Sequence, residues 1–237
     1  MSKKSRRYKS IDTIRGLAMA WMIFGHLIDW WSSPADNWIV IFTHRTFEPF
    51  GASAFLFISG ISITLSFRKS MNKAAIFEEF SKKTAIYEYM FRTFLVFLIG
   101  IAYNVFVAIG AGDMSIIWSW FILQTVAVCF FLTLPLLYAP KVARVVISIF
   151  MLFGNLLLVD FLLPFEGTNT LHGVLFYILY NPLNLVPILY FFPFFLFGTI
   201  FGDLLSDIES SGASDHQKTL AYRKKVIFPG LVIGTSC

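Results

Sequence analysis

Six apolar runs constrain this chain more than anything else in it: Thr13 to Trp31, Phe50 to Phe67, Tyr89 to Gly110, Ile116 to Tyr138, Val142 to Leu163 and Leu185 to Leu205. As a helix rising 1.5 Å per residue, each is long enough to cross about 30 Å of hydrocarbon. A seventh run starts at Val226 and has twelve residues to Cys237, enough for a partial or truncated span only. With 57% apolar and 14% charged residues and a mean hydropathy of +0.71, the chain lies outside the range of ordinary soluble domains. The expected fold is an all-α polytopic membrane helix bundle of six spans plus a partial seventh.

The basic residues give this bundle two sides. Lys and Arg resist translocation, so short loops rich in them stay cytoplasmic. If the six spans alternate, eighteen of the nineteen Lys and Arg fall on one side, in residues 1–15, 68–92, 141–144 and 218–225, and only Arg45 falls on the other. The net charge of +5 is then topology and contact with anionic lipid or a cytosolic anion, which argues against nucleic acid as a partner. The resulting map has a cytoplasmic basic N-terminus at 1–12, the bundle at 13–205, a cytoplasmic basic segment at 206–225 and the partial span at 226–237. The first run is as long as a full span and no small-residue cleavage site follows it, so it is expected to anchor rather than to be removed. Cys129 and Cys237 show no ligand spacing, so neither a disulfide nor a metal site is expected. The chain has no Asn-x-Ser/Thr acceptor, which favours a bacterial-type inner membrane.

Two connections stand out. Arg68 to Glu88 mixes Lys, Glu and aromatic residues and reads either as an amphipathic surface helix or as a solvated loop. Leu171 to Val186 is apolar but broken by Asn181-Pro182, with Pro187 following, and reads as a re-entrant or interfacial segment on the outer side.

The first run carries the chemistry. At about 100° per residue, Asp12, Arg15, His26 and Asp29 share one face about 100° wide. Ionisable groups inside a span normally face the bundle interior or a wet path. An imidazole there can act as general base toward an amine or hydroxyl. Asp29, one turn beyond His26, can orient it. Arg15 lies about 16 Å below His26 along the axis, where an anion could dock. Each has a plainer reading: Asp12 as a helix cap, Arg15 as a positive-inside anchor, His26 as a hydrogen-bonded core histidine. In the second run Ser59, Ser62 and Ser66 form a stripe that either packs helices or lines the same cavity. His44 and His172, with Glu48 and Glu166, fall on the outer side as solvated loop residues.

The stretch Arg7 to Met19 with its Asp12-x-x-Arg15-Gly16, followed by Met22-Ile23-Phe24-Gly25-His26-Leu27-Ile28-Asp29, resembles the opening of the heparan-α-glucosaminide N-acetyltransferase catalytic-domain family in its prokaryotic form. That family sits among the transmembrane acyltransferases. Phe55-Leu56-Phe57-Ile58-Ser59-Gly60-Ile61-Ser62 is similar to its second-helix signature, Tyr89 to Val105 to its third helix, Leu123-Gln124 to a pair in its fourth, and Phe194 to Leu205 to a later Gly-containing span. The chain departs from the animal lysosomal members at Ser33 to Trp38, which holds no histidine, and around Gln124, where Ile122 and Thr125 stand in place of a usual Gly and Arg.

The resemblance implies acyl transfer across a membrane, from cytosolic acyl-CoA (most simply acetyl-CoA) to a sugar amine or hydroxyl outside. It implies His26 as general base with Asp29 beside it, Arg15, Arg68 and Arg92 toward the acyl-CoA phosphates, and Asp12, Ser59, Ser62 and Gln124 lining the cavity. Acyl-CoA would be a donor substrate, with no bound cofactor. The expected partners are that donor, an extracytoplasmic glycan or amino sugar and membrane lipid, and a homo-oligomer is left open. Two other classes fit the same residues: a small permease or proton channel using the Arg15, His26 and Asp29 face, and a non-catalytic remnant.

Overall fold

The computed structural model describes residues 8–33, 36–47, 51–76, 81–181, 185–211 and 214–224. Every regular element among them is a helix: α1 Lys9–Trp31, α2 Asn37–Phe47, α3 Ala52–Ile76, α4 Lys82–Ala111, α5 Ile122–Leu136, α6 Lys141–Leu162, α7 Leu171–Tyr180, α8 Ile188–Ser210 and α9 Asp215–Tyr222. Short 3-10 turns at Met114–Trp118 and Leu163–Phe165 precede α5 and follow α6. The expected seventh run lies outside the described residues.

Five of these elements are long and apolar enough to cross a membrane: α1, α4, α5 with its preceding turn, α6 and α8. The remaining predicted span is α3. It is 25 residues long, but Ser, Thr and the basic residues Arg68, Lys69 and Lys73 dilute its apolar run. A helix packed among α1, α4 and α8 meets less lipid than its neighbours do. On the lipid side, α4 and α6 carry exposed Phe106, Phe150, Phe153 and Leu157.

Centrally placed α8 packs against α3, α5, α6 and α7. The α3–α8 contact is the tightest, and glycine makes it possible. A Cβ on Gly60 would run into the Phe195 carbonyl, and one on Gly198 into the Phe57 carbonyl, while one on Gly202 would lie 2.8 Å from Thr64 Cβ. Gly198 and Gly202 are four apart, so one face of α8 is stripped of side chains where α3 crosses it. Lipid gives no hydrophobic drive between helices, so this close van der Waals contact is what joins them. Beside it, Leu56, Val126, Cys129, Phe192, Phe195 and Leu196 form the main apolar core.

Three connections take definite form in the structure. No separate surface helix follows Phe67: α3 runs on to Ile76, and α4 begins at Lys82, where the Ser81 hydroxyl accepts from Thr84 N–H. Helical hydrogen bonding continues past the apolar run because its continuation, with Arg68, Lys69, Met71, Lys73, Ala74 and Ala75, is also helix-forming. The connection after α1 is itself partly helical, as α2. The interrupted stretch after residue 170 is the ten-residue α7, too short to span. The irregular chain after it pairs with the break before α5: Trp120 N–H donates to Asn181 O, and Val186 N–H to Trp120 O. Trp118 and Trp120 also give their indole N–H groups to Ile178 O.

Candidate functional site

At the end of the bundle holding the first residues of α1, α4 and α6, the basic residues converge on one buried carboxylate. Asp203 of α8 accepts from Arg68 of α3 at 2.7 Å (Nε to Oδ1) and 3.1 Å (Nη2 to Oδ2). It also pairs with Arg144 Nη2 of α6. Arg144 is 1% exposed, and its Nη1 donates to Thr199 Oγ1 at 2.9 Å. Arg68 Nη2 donates to Leu137 O, at the end of α5, at 2.7 Å. Lys141 and Asp207 form an exposed pair alongside. Three helices, α3, α6 and α8, meet at this carboxylate, and Arg68 ties in the end of α5.

The second polar zone is the seam between α1 and α3. Arg15 donates to Ser62 Oγ, whose hydroxyl donates in turn to Ile58 O at 2.9 Å. Ser59 is buried one turn away, and Arg15 Nε is buried with no hydrogen-bond partner. Ala18 is the one buried residue among the described side chains of α1. His26, about 80° round from Ala18, is exposed, so it borders the α1–α3 contact rather than lying within it. Asp12 falls in the first turn of α1, with Tyr8 at the cap position, so it does not cap the helix. Its charge still suits the positive end of the helix dipole. The Asp29 side chain lies outside the described residues.

The three arginines expected to face phosphate have separate partners. Arg15 meets Ser62 and Arg68 meets Asp203, whereas exposed Arg92 stands 3.9 Å from Glu88 on its own helix. Arg92 also lines a small cleft between α3 and α4, with Ser66, Ser70, Glu88 and Tyr89. Gln124 is fully buried. Its Oε1 accepts from Asn104 Nδ2 at 2.6 Å, and its backbone lies against Gly100 of α4. Asn104 Nδ2 also reaches the carbonyls of Ile117 and Ser119 at 3.0 and 2.9 Å, which closes the irregular turn before α5.

Sequence reasoning missed Asp203, Thr199 and Asn104. For Asp203 the signal existed, since it is the one acidic residue in the Leu185 to Leu205 run, and an ionisable group inside a span warrants a search for its partner. Among the described residues no group of His, Cys, Asp and Glu could hold a metal ion.

No curated protein and no solved structure gives a significant match to the chain. A family model does match, that of the heparan-alpha-glucosaminide N-acetyltransferase catalytic domain, over residues 7–233. Nearly the whole bundle is covered, from before Tyr8 to beyond α9. The chain therefore belongs to the heparan-alpha-glucosaminide N-acetyltransferase catalytic family, and its activity class is that of a membrane acetyltransferase.

Proposed function

We propose that this acetyltransferase takes its acetyl group from acetyl-CoA at the basic end of the bundle and delivers it to an amine or hydroxyl of a sugar on the opposite side. The basic end is cytosolic in this reading, the membrane is the inner membrane of a bacterial-type cell, and the N-terminus lies inside. The observation that carries the proposal is the family match over residues 7–233. The convergence of Arg68, Lys141 and Arg144 at one end supports the sidedness. Along α1, Arg15 lies at the α3 serines, and His26 stands three turns further on at the edge of the same seam.

In the reaction, His26 takes the proton of the acceptor amine or hydroxyl as the acceptor atom bonds to the thioester carbonyl carbon. Asp29 orients the imidazole and balances its charge. The carbon–sulfur bond then breaks, and the thiolate takes up the proton that His26 gives back, leaving as coenzyme A. Base catalysis of this kind contributes roughly 10²–10⁴-fold.

The test uses purified protein in micelles with acetyl-CoA and glucosamine, and follows the release of free thiol. His26→Ala should lower kcat by at least about 100-fold and leave coenzyme A binding intact. An unchanged kcat in His26→Ala would remove the histidine from the mechanism. Absence of acetyl-CoA cleavage by the wild type would remove the donor.

A further inference from the structure

The cluster at the basic end carries a charge imbalance. Arg68 and Arg144 share the single carboxylate of Asp203, and the adjacent Lys141–Asp207 pair is neutral by itself. Guanidinium does not deprotonate in proteins, so the group keeps one positive charge in excess. Arg144 is sealed in, its Nε buried with no hydrogen-bond partner. The excess can be met from outside only at Arg68, whose side chain is 31% exposed.

Arg68 is also held in a fixed pose. Asp203 takes Nε and Nη2, and the Leu137 carbonyl takes Nη2 again. Three of its five N–H groups are thus engaged on one side, and the Nη1 pair remains on the other. A guanidinium gripped at Nε and Nη2 presents Nη1, with its two N–H donors, in a set direction, which suits a charge-assisted contact to a phosphate oxygen.

We propose that Arg68 is the seat of a phosphate group at the basic end, with Asp203 as its positioning residue and Arg144 as the buried charge that keeps the seat positive. Asp203 touches no ligand; it acts by holding Arg68. The phosphate is either that of the acyl-CoA donor or that of an anionic lipid headgroup. Only the first of these sources rests on the acyltransferase reading.

Wild type, Arg68→Gln, Arg68→Lys, Asp203→Asn and Asp203→Glu are placed in phosphatidylcholine nanodiscs and titrated with coenzyme A and, separately, with pantetheine, which lacks the phosphates. A second set in nanodiscs containing phosphatidylglycerol is read by native mass spectrometry for retained lipid. Arg68→Gln should weaken coenzyme A binding about tenfold and leave pantetheine unchanged. Arg68→Lys, which keeps the charge and loses the grip of Asp203 on a fixed guanidinium, should fall between Arg68→Gln and wild type. Asp203→Asn should match Arg68→Gln, and Asp203→Glu should recover part of the loss. Loss of phosphatidylglycerol retention in Arg68→Gln, with coenzyme A binding unchanged, assigns the seat to lipid. If Arg68→Gln and Arg68→Lys melt as wild type does and bind both ligands as wild type does, the seat is refuted. Should Asp203→Asn fail to fold, the two Arg68 variants still decide. A wild type that retains phosphatidylglycerol through Arg68 but ignores coenzyme A keeps the seat and loses the donor. One that binds coenzyme A and retains phosphatidylglycerol, both independently of Arg68, keeps the donor and loses the seat.

Discussion

Asp203 and its two arginines are not equivalent in what their removal leaves behind. Asp203→Asn strands Arg144, which is 1% exposed, with Thr199 as its remaining side-chain partner. Removing one partner of a buried ion pair costs roughly 3–5 kcal/mol, whereas replacing the whole pair by well-packed apolar residues is often neutral. Asp203→Asn should therefore lower the thermal unfolding midpoint in micelles more than Arg68→Gln does, since Arg68 is partly solvated. The double variant Arg144→Met/Asp203→Leu should recover most of the loss. Arg68 and Arg144 were legible in the sequence as basic residues near span ends. Asp203 stood out as the one acidic residue of its run, but its pairing did not, because it lies 135 and 59 residues from its partners along the chain, and side chains that meet across helices leave no local spacing to read.

Among the elements, the spans were the most legible, since an apolar run of crossing length has few other uses in a chain of this composition. Their ends were less so. The tails of α3 and α4 leave the apolar run without leaving the helix, and charged residues of good helix propensity mask the boundary. The α3–α8 crossing gives a prediction at this scale. Gly198→Ala places a methyl group against the Phe57 carbonyl and should destabilise the bundle by about 1–3 kcal/mol, as overpacking does. Gly154→Ala on α6 meets nothing within 4 Å. It should be neutral or stabilise by up to about 1 kcal/mol through helix propensity. Unfolding midpoints of the two variants in the same detergent check both signs.

For the whole molecule, the start of α1 and the end of α9 are tied together at the basic face. Tyr222 of α9 donates to Glu209 at 2.9 Å, and its hydroxyl lies 3.3 Å from that of Tyr8, at the start of α1. Burial, then the bonds to Tyr8 and Glu209, raises the Tyr222 pKa well above its ordinary value of 10.0. The unfolded chain loses this proton from about pH 10 upward while the folded chain keeps it, so the unfolded state binds fewer protons and stability falls as pH rises through that window. Stability should therefore decline above about pH 10, and Tyr222→Phe should make that decline shallower. The same face is where the donor is proposed to arrive, and the sidedness of the reaction is the most direct test of the account. Radiolabelled acetyl-CoA is supplied to the face bearing Arg68 and Arg144 in sealed vesicles, with glucosamine on the opposite face. The account predicts label on the amino sugar of the far compartment, lost in His26→Ala. Labelled product confined to the donor compartment, or transfer that survives His26→Ala undiminished, would contradict it.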